Sequence, residues 1–406
     1  MPLSSVQALC LLSFFMSDVR DGLGPFLGVF LINDRWSAED IGYVMTAGGI
    51  AGLVATLPAG ILADASARKR LLVSLAALLI MSGTLLLWFF PHPLMVYASQ
   101  VTAGVSAALI GPLMAGLTLG LVGQRLFAHQ LGRNEAYNHG GNMLSALLAG
   151  AASWFWGLGA VFLLMIVMTC GALMAAFAIR EQDIDHRVAR GLKPDETPAQ
   201  MPSLATLVKM PALMLTGLTL LLFHLSNAAQ LPMLSMQVAS GEQARAFNPG
   251  LYAAMTVVIA QCVMIPVALL VPRYVRKYGY QKLILLALMV LPVRAMTAAL
   301  WPSPWAAIPV QIFDGLSAGI LGVAVPGFIA SLLNGTGHVN AGQALVMLVQ
   351  GFGAALSPAV AGAIATHYSW RDAFMSLAGI AVMALLIWLT FSGRRRPLAA
   401  VGAPQK

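Results

Sequence analysis

Charge is what this chain lacks. Of its 406 residues only 9% are Asp, Glu, Lys or Arg, while 59% are hydrophobic and the mean hydropathy is +0.81. Soluble domains average roughly 25% charged residues, so the composition excludes an ordinary soluble domain and points to a chain that crosses a bilayer many times. Long polar runs are missing too. The longest lies between Arg180 and Lys209, which leaves no room for a separate soluble domain or a coiled coil. Cysteine is nearly absent: Cys10, Cys170 and Cys262 sit far apart in apolar segments without metal-ligand spacing. They are expected to be buried small hydrophobic residues with no disulfide, redox or metal role. No P-loop, dinucleotide glycine fingerprint or zinc-ligand cluster occurs, so ATP drive and metalloenzyme chemistry have no basis and no cofactor is expected. A basic region ahead of the first apolar run is also missing, and that run continues for about 30 residues, beyond a signal-peptide core. It is expected to be kept as the first span.

What is present is a series of apolar segments. A bilayer core takes about 20 residues of helix, and twelve such segments lie near 6–32, 38–63, 71–90, 94–122, 134–157, 160–179, 207–237, 249–271, 283–301, 304–333, 340–366 and 370–392. Breakers separate them, among them Asn33-Asp34-Arg35, Phe90-Pro91-His92-Pro93, Asn248-Pro249-Gly250 and Trp301-Pro302-Ser303-Pro304. Trp36, Trp154, Trp156, Trp301, Trp305 and Trp370 cluster at segment ends, as an interfacial aromatic belt requires. The net charge of +8 would suit a nucleic acid, but the basic residues are sorted by side. Of 23 Lys and Arg residues, 18 fall on one side and only Arg35, Arg245 and Arg371 on the other, with Arg20 and Arg294 left within the membrane. That asymmetry orients the chain with both termini and the central loop cytoplasmic, and it excludes a nucleic-acid partner. The expected organisation is a bundle over 1–180, a cytoplasmic linker over 181–206 with a short surface helix, a second bundle over 207–393 and a tail over 394–406.

The two bundles repeat. Gln100-Val-Thr-Ala-Gly104-Val-Ser106-Ala107 aligns with Gln311-Ile-Phe-Asp314-Gly315-Leu-Ser317-Ala318 at an offset of 211, and Gly141 to Gly150 aligns with Gly353 to Gly362 at 212. Parallel repeats of this kind place a substrate site between the halves near the bilayer midplane. Twelve spans, a 6 + 6 repeat and the segment Gly60-Ile-Leu-Ala-Asp64-Ala-Ser-Ala67-Arg68-Lys69-Arg70 resemble the major facilitator superfamily of secondary transporters. Ala67 stands where that family's signature has its second glycine, and Arg273 to Lys282 is a weaker copy in the second half. Two other family motifs are altered: Tyr97 stands where an Arg would precede Gln100, and Gly140-Gly141-Asn142 lacks the proline of the antiporter motif. The resemblance implies an all-α membrane fold of two pseudo-symmetric six-helix bundles, with Asp64 latching the cytoplasmic side against a helix N-terminus of the partner half. Arg68 and Lys69 would add orientation and latch pairing.

Candidate site residues come from charge and polarity at membrane depth, where ionised groups are rare unless paired or hydrated. Ser17-Asp18-Val19-Arg20-Asp21-Gly22-Leu23-Gly24-Pro25 places three formal charges inside the first span. Asp18 and Asp21 share a helix face, and Arg20 pairs well with only one of them unless the backbone bends, which Gly22, Gly24 and Pro25 allow. One carboxylate would carry a proton while Arg20 holds an anionic substrate group or the other carboxylate; a static ion-pair knot is the structural alternative. Asp314 is the sole acidic residue of the tenth span and reads as a proton site, or as an ion-pair partner of Arg20 or Arg294. In the seventh span His224 and Asn227 share a face, Gln230 drifts round it, and Pro232 weakens the helix beside them. In the fifth, Arg133, Asn134 and Glu135 suit a cytoplasmic gate, while Asn138 and Asn142 suit the cavity together with Gln100, Gln261, Gln311, Gln343 and Gln350. A single glutamine also serves as interhelical glue, worth about 0.6 kcal/mol.

These features lead to a monomeric secondary transporter in a bacterial inner membrane. It moves a small organic solute, anionic or zwitterionic, by alternating access with proton coupling through Asp18, Asp21 or Asp314. Drug or metabolite efflux by proton antiport is the alternative, and an intramembrane enzyme or receptor is the rival from another class.

Overall fold

The polar interruption in the first span breaks it into two helices. In a computed structural model of the chain, α1 (Ser5–Asp21) stops and α2 (Pro25–Asn33) restarts after Gly24. Gly24 has φ 48°, a conformation that glycine adopts at no steric cost, and Pro25 occupies the first helical position, where an N–H would have no partner. The structure describes residues 3–21, 23–186, 189, 207, 209–241, 247–332 and 339–394. The side chains of Asp21 and Asp64 lie outside that description, as do most of the expected linker and the tail beyond Arg394. Of the surface helix expected near the linker, the described part is a 3-10 turn at Glu181–Asp183.

Eleven more helices follow: α3 (Ala38–Ala65), α4 (Lys69–Phe89), α5 (Pro93–Trp156), α6 (Ala160–Ala178), α7 (Pro211–Asn227), α8 (Gln230–Ser240), α9 (Pro249–Tyr278), α10 (Tyr280–Leu300), α11 (Ala307–Leu332), α12 (Val339–His367) and α13 (Trp370–Arg394). The segments expected from the sequence are mostly helical over their described residues, and nine helices among the described residues are long and apolar enough to cross a membrane. Local chemistry fixes several starts. The Ser37 hydroxyl accepts from the Asp40 N–H at 3.0 Å ahead of α3, Asn248 accepts from the Leu251 N–H at 2.9 Å ahead of α9, and Ser369 accepts from the Asp372 N–H at 3.1 Å ahead of α13.

Two boundaries differ from the sequence expectation. The fourth and fifth spans follow each other without a loop inside α5, meeting at Gly123, whose non-helical φ 70° and ψ 172° divide it into two helices. The fifth span therefore begins about three turns before residue 134, which carries Asn134 from the expected mouth into the protein, where it is 5% exposed. The seventh span also breaks, between α7 and α8. Pro232 has no N–H to give the Ala228 carbonyl, and the Ala229 N–H donates out of the helix to the Ser357 hydroxyl of α12 at 2.9 Å. The first and seventh spans are thus broken at matching places in the two halves. Cys10 is buried as expected, but Cys170 and Cys262 are exposed. An apolar side chain in a membrane helix needs no protein cover, because lipid is as apolar as the core.

Three apolar cores hold the bundle together. One is drawn from the first half, including Leu9, Leu12, Val73, Ile80 and Met168, and one from the second, including Leu213, Phe223, Leu288, Ile320 and Trp388. The third is shared: Phe26, Leu27, Val29 and Phe162 of the first half meet Met233, Leu234, Met236, Tyr252 and Phe374 of the second. It lies around α2 and α8, away from the end that holds the start of α1. At that same far end α3 packs on α12, and the second part of α5 packs on α9.

Hydrogen bonds between the halves lie at mid-depth and toward this far end. The Ala359 N–H donates to the Thr46 hydroxyl at 3.0 Å, Ser153 Oγ donates to Asn248 Oδ1 at 3.1 Å, and the Glu39 N–H donates to the Thr366 hydroxyl at 2.9 Å. Glu39 also pairs with His367 at 2.9 Å and accepts from the Tyr43 hydroxyl at 2.7 Å. Because His367 is 63% exposed, the pair is screened, and His367→Ala is expected to change unfolding free energy by less than about 1 kcal/mol. A denaturation midpoint measured in detergent checks this.

At the opposite end several fastenings lie within the first half. Lys69, 1% exposed, donates to the Ala63 and Ser66 carbonyls and so closes the C-terminus of α3, and Arg70 binds Glu181 and the Ile179 carbonyl. The Ser5 hydroxyl bonds Asp183 and accepts from the Arg180 N–H.

Candidate functional site

Both helix breaks face a cavity between the halves. A space of about 450 Å³ is lined by Gly24 and Pro25 at the first break, by Asn227, Ala228 and Pro232 at the second, by Gln100 of α5, and by Arg294 and Asp314. It shares Gln100, Ala103 and Ala228 with a space of about 540 Å³ that runs along α3 from Met45 to Thr56, away from the far-end contacts, and takes in Arg20. It shares Gly24, Pro25 and Leu231 with a third space of about 270 Å³ that holds Asp18, Asn142 and Gln261. The three form one central cavity whose walls come from both halves.

Its wall holds a buried ion pair inside the second half. Arg294 of α10 is fully buried, and its Nη1 lies 2.8 Å from Asp314 Oδ1 of α11 while also donating to Asn227 Oδ1 at the end of α7. The Arg294 side chain is 1% exposed and that of Asp314 is 16% exposed. One guanidinium nitrogen thus serves two acceptors. Nε and Nη2 of Arg294 make no hydrogen bond among the described residues, nor do Nε2 and Oε1 of the fully buried Gln311, three residues before Asp314. Buried donors without acceptors each cost about 1–3 kcal/mol, and more when charged. A guanidinium held this way keeps two buried N–H groups unmet, which an anionic or carbonyl oxygen that reached them would satisfy.

The sequence candidates fall into four groups. Asn227 and Asp314 meet at Arg294, and Gln100 lines the same space. Asp18 and Asn142 line the cavity on the side of Gln261, whose Oε1 lies 3.2 Å from His139 Nδ1 of the other half. Arg20, Glu135 and Asn138 surround a small chamber between α1 and the two parts of α5, and His224, Gln343 and Gln350 surround its counterpart between α7, α11 and α12. Gln230 leaves the set: it is fully buried at the start of α8, and its amide donates to the Ser226 carbonyl at 3.1 Å. Of the residues expected at a gate, Arg68 and Arg133 are exposed, and Arg133 donates weakly to Gln130 Oε1 at 3.4 Å. Lys69 caps α3 as described, and the Asp64 side chain lies outside the described residues.

Two features go beyond the expected cavity residues. Arg294, expected only as one of two alternative partners of Asp314, is at the centre of the site as the lone cation of an otherwise apolar span. The second is a buried network in the first half: Gln130 Nε2 donates to Asn134 Oδ1 at 2.8 Å and to the Cys10 sulfur at 3.2 Å, and Asn134 Nδ2 donates to the Thr118 hydroxyl at 2.9 Å. Gln130 and Asn134 are neighbours by their i, i+4 spacing, but nothing in the sequence brings Cys10 and Thr118 to them, because those residues come from two other spans.

Comparison with known proteins agrees with this architecture. The sequence profile of the Major Facilitator Superfamily matches residues 9–341. An uncharacterised MFS-type transporter of Mycobacterium tuberculosis, recorded in strains CDC 1551 and H37Rv, is 35% identical over 389 residues, covering 94% of this chain and 92% of that one. Among solved structures, the nucleoside transporter NupG superposes with a TM-score of 0.78 at 13% identity, over 97% of this chain and all of that one. A mutant of the same transporter gives the same score over 95% of this chain and 99% of its own. At that identity the likeness concerns the fold. A profile matched across most of the chain and a relative matched along nearly its whole length place the protein in the Major Facilitator Superfamily, as an integral membrane transporter of a small-molecule solute and not an enzyme.

Proposed function

We propose that the protein is a proton-coupled secondary transporter that moves a small organic anion or zwitterionic metabolite across a bacterial cytoplasmic membrane. It works as a monomer by alternating access, with both termini in the cytoplasm. The observation that carries this reading is the buried Arg294–Asp314 pair in the wall of a cavity enclosed by both halves. In that setting an incoming carboxylate competes with Asp314 for the guanidinium. Binding a second anion beside Asp314 is unfavourable unless Asp314 takes a proton, so substrate and proton enter together. Asp18, on the opposite wall, is a second carboxylate through which protonation could be felt. The shared core and the far-end contacts of α3 with α12 supply one closed gate, and rocking of the halves would open it.

Export by proton antiport is the competing reading, and the altered antiporter motif at Gly140-Gly141-Asn142 stands against it. The test is flux into proteoliposomes from a pool of labelled carboxylates, amino acids and nucleosides, with and without an imposed pH gradient. An anionic or zwitterionic solute is expected to accumulate at least tenfold with the gradient and to leak out when a protonophore is added. Accumulation of a neutral nucleoside alone would remove the anion reading, and flux indifferent to the gradient would remove the coupling.

A further inference from the structure

The two small chambers beside the central cavity are copies of each other. Twelve residues line the first-half chamber, and each has its repeat mate lining the second-half chamber. The mates are related at offset 207 on α1 and α7, 211 from Ile110 to Thr118, and 212 from Leu131 to Asn138. The chemistry of the copies has diverged. Ser13, Thr118, Asn134 and Glu135 in the first half correspond to Leu220, Ile329, Val346 and Met347 in the second. The first chamber is crossed by the Gln130–Asn134–Thr118 network and encloses about 110 Å³, whereas the second encloses about 310 Å³ with a mostly aliphatic lining.

Position matters as much as size. Asn227 lines both the second-half chamber and the central cavity, and it accepts a hydrogen bond from Arg294. An apolar recess therefore begins one side chain away from a buried guanidinium with two unmet N–H groups. A ligand whose charged end met Arg294 would find aliphatic cover for a short hydrocarbon body on the far side of Asn227. His224, Gln343 and Gln350 supply the few polar contacts on the rim. Its first-half mate offers no such cover, because Thr118, Asn134 and Glu135 stand where the second chamber has Ile329, Val346 and Met347.

We infer that the second-half chamber is the pocket for the hydrocarbon body of the substrate, so that the transported class is organic anions with a short alkyl or aryl chain. This rests on the reading of Arg294 as the group that meets the anion. Each buried methylene strengthens binding by about fourfold, so chain length is a sensitive readout.

The test uses the purified full-length protein in detergent and measures the affinities of acetate, hexanoate, phenylacetate and 1-hexanol by calorimetric titration. Hexanoate and phenylacetate are expected to bind at least tenfold more tightly than acetate. Gly322→Leu fills the chamber where an added Cβ meets nothing within 4 Å, and it is expected to weaken hexanoate at least tenfold and to bring the hexanoate-to-acetate ratio below twofold. Met347→Gln, at an exposed position of the lining, should narrow the ratio in the same direction. Gly111→Leu, the equivalent change in the first-half chamber, should leave the ratio as it was. Equal affinity for acetate and hexanoate, or a ratio untouched by Gly322→Leu, overturns the chamber assignment and leaves the anion reading standing. Hexanol binding as tightly as hexanoate would retain the chamber and overturn the anion reading, and no binding by any of the four overturns both.

Discussion

Asp314→Asn is expected to abolish gradient-driven uptake, a loss of at least a hundredfold, and to destabilise the protein by about 3 kcal/mol or more. The stability part follows from removing one member of a buried ion pair, which leaves Arg294 charged, 1% exposed and without its carboxylate. The transport part follows from the role proposed for Asp314: an amide cannot take up or release a proton, so substrate binding at Arg294 is no longer tied to the gradient. The two effects separate in a second variant. Arg294→Met with Asp314→Leu replaces the pair by apolar side chains and is expected to recover most of the lost stability, since a buried pair is often no better than a hydrophobic substitute. It should recover no uptake. Denaturation midpoints and proteoliposome flux measure the two axes independently. If Asp314→Asn loses stability but keeps pH-driven uptake, the pair is structural and the proton is carried elsewhere, with Asp18 the next residue to test. If the double variant transports, neither side chain belongs to the coupling scheme.

The fold was legible because its signals are local and repeated. Apolar length, proline and glycine punctuation and the distribution of Lys and Arg need no knowledge of the partner helix, and Gly24 with Pro25 announced the break in the first span. The break after α7 was half visible. Pro232 marked a weak place, but the capture of the Ala229 N–H by Ser357 depends on a residue 128 positions away. The site was legible one wall at a time. Asp314 and Asn227 stood out as polar groups at membrane depth, yet their convergence on Arg294 is set by how α7, α10 and α11 cross. The expectation for Asn134 failed for a different reason. Its depth depends on where the second part of α5 begins, and a chain that turns from one helix straight into the next at Gly123 leaves no loop to mark that start. The divergence of the two chambers could be found from the repeat alone once an offset of 207 for α1 and α7 is known, but the sequence matches fix only the offsets of the later spans.

Crowding the far-end contact should move the whole transport cycle. α3 and α12 approach there through glycines: a Cβ on Gly42 would run into the Pro358 carbonyl and come within 3.2 Å of Ala359 Cα, and a Cβ on Gly362 would run into the Ala38 carbonyl and come within 3.3 Å of Glu39 Cα. Backbone cannot swing aside as a side chain can, so each added methyl costs about 1–3 kcal/mol while the far end is closed. None of that cost remains once the halves separate. Gly42→Ala with Gly362→Ala therefore penalises one state of the cycle by a few kcal/mol, enough to change the ratio of far-end-closed to far-end-open protein by roughly tenfold to more than a thousandfold. The shift can be read at Ala355, which packs where a Cβ on Gly49 would approach it at 2.9 Å. With Cys10, Cys170 and Cys262 replaced by serine and Ala355→Cys introduced, labelling by an impermeant maleimide from the far side should quicken at least tenfold in the double alanine variant. Uptake should fall at least tenfold, because a carrier held open at one end completes few cycles. Gly379→Ala, where a Cβ meets nothing within 4 Å, serves as the control and should change neither reading. Unchanged labelling with a lowered midpoint of unfolding would show that α3 and α12 form a fixed seam, and alternating access through this interface would then have to be abandoned.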